Sequence, residues 1–445
     1  MLRPFLGRSL RPLLLLLFTL TLAGPTPAGA QSSVMVRGGL AFPATFRFAP
    51  DGRLFYCELF TGRIQVFDSP TSDELHTWAT LSVDSDGERG LLGMEFHPQF
   101  PDSPYVYFFH TNRHPLENRV VRLRDVNGVG VDYQVLFRLP ASDLHNGGRL
   151  AFGPDGRLYV TFGDQEVTSA ARVADDVRGK IHRLTPLGVP AGTVFGPGNP
   201  AFARGVRNPY GLCFDPAVPG RAFFTENGPD CDDEVNALWS GADYGWGITD
   251  PCGGDLPGTT KPIARLSPTV APTGCCVYRG GPDPQFEGAL FFGTFNDGDV
   301  RCVTFDPLTG EPQPVRTLLP HGDAVLDVVQ GPDGRIWYST FDAIYRLMTV
   351  TLSAPPTGPA APRLSAWPNP SARDVSFRIS TPHDVVSLEV YDTNGRRIRD
   401  LSVSNGLARW DGTDTRSARV PPGVYLARLR EGNAVHTLRI ARLAR

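Results

Sequence analysis

A short unit recurs along the chain: an apolar strand, a Pro-Asp-Gly turn and a second apolar strand. It reads Phe48-Ala-Pro-Asp-Gly-Arg-Leu-Phe-Tyr56, returns as Phe152-Gly-Pro-Asp-Gly-Arg-Leu-Tyr-Val160, and returns again as Pro332-Asp-Gly-Arg-Ile-Trp-Tyr338. Proline presets the first turn residue, and glycine supplies the positive φ that a tight reversal needs, so each unit is a β-hairpin. Looser versions lead from Met94 through Pro98 to Tyr105–Phe108, from Leu212 through Pro216 to Ala222–Phe224, and from Val277 through Leu290 to Val303. Third strands follow at Gly62–Phe67, Gly179–Leu184 and Ala343–Leu347. Six units over residues 31–350 come to about 53 residues each, slightly longer than common propeller repeats. Four-stranded sheets repeated around an axis protect their edges, and a two-sheet sandwich has no need of such a repeat. The fold class expected is therefore all-β, a six-bladed β-propeller.

Composition agrees: 48 Gly and 42 Pro favour turns and short strands over long helices. The formal net charge of -3 leaves no electrostatic footprint for nucleic acid. Residues 1–30 read as an export signal, with Arg3, Arg8 and Arg11 ahead of an apolar run from Leu13 to Ala23, and with Ala28-Gly29-Ala30 as the cleavage site. That run is short for a membrane span, so no transmembrane anchor is expected. The chain is expected outside the cytoplasm: periplasmic, at the cell surface or extracellular. Seven cysteines then become candidates for disulfides, and an odd number leaves at least one thiol unpaired. Cys231 to Cys252 is the bridge expected. A structural zinc site is disfavoured because no Cys-x-x-Cys pair occurs.

The stretch 351–362 is a stiff, proline-rich linker. From Arg363 to Arg445 a different pattern takes over, with alternating strands at Val375–Ile379, Val386–Val390 and Val424–Leu429 and an Asn394-Gly395 hairpin turn. This is read as a small Ig-like β-sandwich.

Chemistry concentrates in the loops. His145 stands just before Gly147-Gly148, where backbone can pass close to a flat group. Other loop clusters are Asp86–Gly93, Gly205–Leu212, Thr225–Pro229, and Asp232–Asn236 followed by Gly241–Trp246. Loops of successive blades converge on one face, where a ligand would sit.

Together these motifs place the propeller beside a known family. Glu88-Arg-Gly-Leu-Leu-Gly-Met-Glu-Phe-His-Pro98, His145-Asn-Gly-Gly-Arg-Leu150 with Gly163-Asp164, Arg207-Asn-Pro-Tyr-Gly-Leu212, and Glu226 through Asn236 resemble the soluble PQQ-dependent sugar dehydrogenases of the glucose/sorbosone group. Propellers of the hedgehog-interacting protein are relatives of that group. The resemblance implies an exported dehydrogenase that oxidises the anomeric carbon of an aldose to a lactone, with PQQ and Ca²⁺ as cofactors and an unknown electron acceptor. It implies that His145 is the general base, that Arg207 meets the quinone oxygen, and that Asn208 hydrogen-bonds beside it. It also implies that the carbonyls of Gly228 and Pro229 ligate Ca²⁺, and that Glu234 and Tyr244 hold a second ion. Glu88 and Arg279 are expected to touch the cofactor, Arg279 by meeting a quinone carboxylate where relatives carry lysine. Asp297 and Asp299 stand where some dehydrogenases are basic. The rival reading is a non-catalytic propeller that binds a protein or glycan, as in hedgehog-interacting protein.

The C-terminal region resembles FlgD-like Ig domains and type IX secretion sorting domains through Trp367-Pro-Asn-Pro370, Tyr391-Asp-Thr-Asn-Gly395 and Pro422-Gly-Val-Tyr425. That resemblance implies an address read by outer-membrane secretion machinery.

Overall fold

The computed structural model describes residues 31–192, 194–229, 231–248, 256–349, 363–380, 387–392, 396–404, 406–431 and 434–443. The expected export signal, the linker 351–362, Cys252 and the Asn394-Gly395 turn lie outside the described residues. Among the described residues, six four-stranded antiparallel sheets form the blades of a β-propeller. Their innermost strands are Pro43–Phe48, Leu91–Phe96, Leu150–Phe152, Pro209–Phe214, Pro272–Val277 and Asp327–Gln330. Each packs on the next and the last returns to the first, so the ring closes. Closure is completed from the N-terminal side. Gln31–Gly38 pairs antiparallel with Ala343–Thr349 and supplies the outer strand of the blade that begins at Asp327. The strand that precedes the first blade and the strands of the last blade are thus held in one sheet.

The turn chemistry explains the hairpins. Leu150, Ala151 and Phe152 face Val160, Tyr159 and Leu158 across the third blade's first turn. Gly156 takes φ 68° there, and Gly52 and Gly334 take 96° and 74° in the equivalent turns. Asp155 accepts from the Arg157 N–H at 3.0 Å and pairs with Arg183 of the third strand at 2.6 Å, tying the turn to the sheet.

The second strands Leu54–Glu58, Leu158–Phe162, Ala222–Glu226 and Leu290–Thr294 are buried at every position. Neighbouring blades cover both faces of each second strand, so Thr161 and Thr225 are as buried as Phe162 and Phe224.

A single arginine gathers the ring. Arg149, 2% exposed, donates from Nη2 to the carbonyls of Ala44 (3.0 Å) and Leu326 (2.9 Å) and from Nε to Tyr210 O (3.0 Å). Its Nη1 lies 3.3 Å from Asp327, whose carboxylate also accepts from Thr45 and from Arg47, each at 2.7 Å. Residues of four blades are therefore joined at one buried cluster.

The C-terminal strands form two further sheets. Arg363–Trp367, Val375–Ser380 and Leu407–Trp410 make one, and Arg397–Leu401, Ser387–Asp392, Gly423–Glu431 and Ala434–Arg442 make the other. Phe377, Val390, Trp410, Leu429 and Ile440 fill the space between them. This is the Ig-like sandwich that the sequence leads one to expect.

Candidate active site

Strand direction decides which residues meet. Every innermost strand runs from one face of the propeller to the other, so the segments that precede these strands share a face and the turns that follow share the opposite one. His145, Arg207-Asn208 and Val270-Ala271 precede strands. Returning second strands bring Asp164 and Glu226-Asn227-Gly228 back to the same face.

His145 is 8% exposed and takes φ 56°, a left-handed conformation costly for a residue with a Cβ. Its backbone N–H donates to Glu88 Oε2 at 2.8 Å, and Asn208 Nδ2 donates to the same oxygen at 3.2 Å. Glu88 thereby ties the histidine loop to the arginine loop. Nδ1 of His145 lies 2.7 Å from Oδ1 of Asp164. The other oxygen of Asp164 accepts from the Trp246 indole at 2.7 Å. Burial pushes the Asp164 pKa up, but the hydrogen bonds and charge of His145, the Trp246 indole and the Glu166 N–H outweigh it, and the carboxyl sits below the usual aspartate range. An ionised carboxylate only accepts, so Nδ1 carries a proton and Nε2 is the ring nitrogen left to exchange one.

Gly147 and Gly148 adopt φ 64° and 102°. A Cβ on Gly148 would lie 2.7 Å from Phe109 and 2.9 Å from Leu92. These glycines serve close packing within the protein, a role different from the open approach to a flat group read from the sequence.

Arg207 donates from Nη1 to the carbonyls of Asn227 (2.9 Å) and Gly228 (2.6 Å), and its guanidinium carbon lies 5.5 Å from the Trp246 ring centre. Its backbone N–H donates to Glu226 Oε1. Burial, and then the charge of Glu234, push the Glu226 carboxyl well above the usual range. Gly228 in turn donates to Asp233 Oδ1 at 2.8 Å, while Asp233 Oδ2 accepts from Val270 (2.6 Å) and Ala271 (2.7 Å) at the entry to the fifth blade. Glu234 lies 3.1 Å from Arg265 and accepts from Asn236 at 3.0 Å. The Tyr244 hydroxyl donates to Ala237 O at 2.6 Å, so its side chain is spent inside the fourth blade. Arg207, Glu226, Gly228, Pro229, Glu234 and Tyr244 line one cleft.

Arg279 does not join this group. It follows the strand Pro272–Val277 and so lies on the turn face, where it pairs with Asp215 at 2.6 Å and Glu287 at 3.2 Å. The expectation that it meets a cofactor carboxylate is corrected by strand direction. Asp297 and Asp299 do lie on the site face, where Arg301 pairs with both. Cys231 is disulfide-bonded. Three contributors had no role assigned from sequence: Asp164, Trp246 and Glu226. Asp164 was visible only as part of Gly163-Asp164, and its partner stands 19 residues away.

Residues 40–348 match the family described as Glucose / Sorbosone dehydrogenase. The chain belongs to this family. Residues 365–441 match the Secretion system C-terminal sorting domain. Aldose sugar dehydrogenase YliI of Escherichia coli is 27% identical, over 70% of this chain and 90% of that protein. Quinoprotein glucose dehydrogenase B of Acinetobacter calcoaceticus is 30% identical over 48% of this chain, and the match spans about half of that relative, 51%. A solved PQQ-bound aldose sugar dehydrogenase from Streptomyces coelicolor superposes with a TM-score of 0.65 at 27% identity, covering 73% of this chain and 99% of that one. The likeness to Mus musculus hedgehog-interacting protein is shorter, 31% identity over 30% of this chain and 22% of that protein. By family this sugar dehydrogenase homologue is an oxidoreductase. Among its described residues no helix is long and apolar enough to cross a membrane.

Proposed function

We propose that the protein is an exported aldose dehydrogenase that uses PQQ and Ca²⁺ and oxidises the anomeric carbon of a sugar to a lactone. The observation that carries this reading is the His145–Asp164 hydrogen bond at 2.7 Å. It holds the imidazole through Nδ1–H and leaves Nε2 as the nitrogen that can take a proton, the orientation a general base needs.

The donors at hand fit both groups chemically. Asn208 Oδ1, Asn227 Oδ1 and Glu226 Oε2 are buried oxygens with no hydrogen-bond partner, and oxygen donors suit a hard cation. Gly228 and Pro229 would hold Ca²⁺ through their carbonyls, with Glu234 and Tyr244 as the second candidate site. Arg207, Asn208 and Glu88 would position PQQ. When bound, PQQ supplies the two-electron acceptor for the anomeric hydride, and Ca²⁺ supplies Lewis-acid polarisation.

His145 Nε2 takes the proton of the anomeric hydroxyl as the hydride leaves the same carbon. Asp164 stabilises the resulting imidazolium and prevents the ring from turning. Arg207 places positive charge where negative charge develops. Glu88 holds His145 and Asn208 at fixed separation through one carboxylate oxygen. A binding propeller has no evident need for a buried His–Asp pair, which favours catalysis over the protein- or glycan-binding alternative. The sorting domain supports delivery outside the cell.

The test is dye reduction by the full chain, supplied with PQQ and Ca²⁺ and a panel of aldoses, beside His145→Ala. Sugar-dependent reduction that requires both additives and vanishes in the variant is the expected result. Absence of activity together with absence of PQQ binding by titration would abandon the dehydrogenase in favour of the binding module.

A further inference from the structure

The innermost strands of the fourth and fifth blades carry Cys213 and Cys275. Their sulfurs lie 3.5 Å apart, although 62 residues separate them in the chain. The two strands are already close along their length. Thr225, paired with Gly211, donates from Oγ1 to Thr273 O of the next blade at 2.7 Å, and accepts from Gly211 N–H at 2.8 Å. A Cβ at position 211 would lie 3.2 Å from the Cys275 sulfur. Glycine at 211 thus leaves the space into which that sulfur packs.

Cys276 is the neighbouring competitor, and strand geometry removes it. Adjacent residues of a strand point to opposite faces. Cys275 packs with Phe223, Val235 and Leu266 in the apolar cluster that Cys213 borders. Cys276 instead borders the cluster of Phe291, Val300 and Cys302 on the other side of the blade.

We propose that Cys213 and Cys275 form a disulfide in the exported protein, a covalent staple between the fourth and fifth blades. A bonded pair needs the sulfurs to close from 3.5 Å to about 2.05 Å. The reaction is thiol–disulfide exchange: both S–H bonds break, the new S–S bond forms, and two electrons and two protons pass to an external protein or small-molecule disulfide, which becomes two thiols. Burial, followed by the hydrogen bond to Cys275, holds the Cys213 thiol well above the usual range. Exchange therefore runs while the blades are still assembling, before the pair is sealed. The loop so closed contains Glu226-Asn227-Gly228-Pro229 and Asp232 through Trp246, the fourth-blade portion of the site. The staple thus fixes that portion against Val270 and Ala271 at the start of the fifth blade. The inference rests on the chain reaching an oxidising compartment and does not depend on PQQ.

The experiment takes the full chain, secreted and collected under a thiol-blocking reagent, digests it without reduction and identifies linked peptides by mass. A peptide pair joining Cys213 to Cys275 in most molecules, two hydrogens lighter than the sum of the free peptides, is the expected result. Both cysteines recovered blocked as free thiols would overturn the proposal. So would either of them joined to another cysteine. A second readout needs no new linkage to be found: mild reduction should lower Tm by about 5 °C in wild type and by clearly less in Cys213→Ser/Cys275→Ser. An equal drop in both would place the reducible stabilisation elsewhere and also overturn it. Dye reduction is not among these readouts, so failure of the sugar dehydrogenase reading leaves them unaffected.

Discussion

Nδ1 of His145 lies 2.7 Å from Oδ1 of Asp164, and the same carboxylate takes the Trp246 indole at 2.7 Å. Asp164 therefore orients the ring and compensates the charge it acquires. In Asp164→Asn the amide can turn its NH₂ towards Nδ1 and favour the wrong tautomer. We expect kcat to fall about a hundred-fold or more, with KM for the sugar nearly unchanged. A KM effect equal to or larger than the kcat effect would instead mark Asp164 as a binding residue.

Much of the propeller was legible because its information is local. Pro-Asp-Gly turns at 50–52, 154–156 and 332–334 each specify a hairpin with three residue types, and the same local rule gives Gly156 its φ of 68°. What could not be read locally was assembled by the ring. Asp164 reaches His145 only because a second strand returns to the face its partner strand left. Arg279 was misplaced for the complementary reason: it follows Val277 on a strand leaving the site, and Asp215 of the adjacent turn neutralises it at 2.6 Å. Arg149 likewise carries no sign in its sequence neighbourhood that it will be sealed among four blades.

Arg207 Nη1 sits on Gly228 O at 2.6 Å and Asn227 O at 2.9 Å. A cation bound at the Gly228 carbonyl must share that oxygen with a guanidinium or displace it, and like charges at such range repel by several kcal/mol at an effective dielectric of about 20. Arg207→Gln should therefore bind Ca²⁺ roughly tenfold more tightly in calorimetric titration without quinone. Sugar oxidation should nevertheless fall about a hundred-fold, because the charge that meets developing negative charge is gone. Weaker Ca²⁺ binding in the variant would show that the guanidinium supports the metal site.

Asp327 pairs with both Arg47 and Arg149, and its side chain is 1% exposed. Burial pushes its pKa up, but the charges of Arg149 and Arg47 and the hydrogen bonds from Thr45 and Arg47 outweigh that and hold it below the usual aspartate range. Asp327→Asn conserves volume while taking the carboxylate away from the buried Arg149 guanidinium and leaving Arg47 with Glu95 at 3.7 Å. Breaking a buried pair in this way costs about 3–5 kcal/mol, which lowers Tm by roughly 5–10 °C for a domain of this size. Differential scanning calorimetry of the full chain reads this directly. A Tm within a degree or so of wild type would mean that the ring is held by its strands alone.

His182, fully buried on Lys180–Leu184, donates from Nε2 to Val177 O at 2.8 Å, while its Nδ1 has no partner. Burial pushes its pKa down to about 4, and nearby Lys180 adds to the effect. In the unfolded chain the group titrates near 6.5, so between those values the unfolded state binds more protons than the native state. Its contribution to stability is complete above pH 6.5, declines through that window and is lost as pH falls through 4. A shift of this size corresponds to about 3 kcal/mol. Wild type should therefore lose Tm between pH 6.5 and 4 more steeply than His182→Phe, whose ring would lie beside Phe137 and Phe162 without titrating. His110, also lowered to about 4 by burial, remains in both proteins and cancels from the comparison. Parallel Tm profiles over that range would show that His182 takes up its proton without opening the third blade.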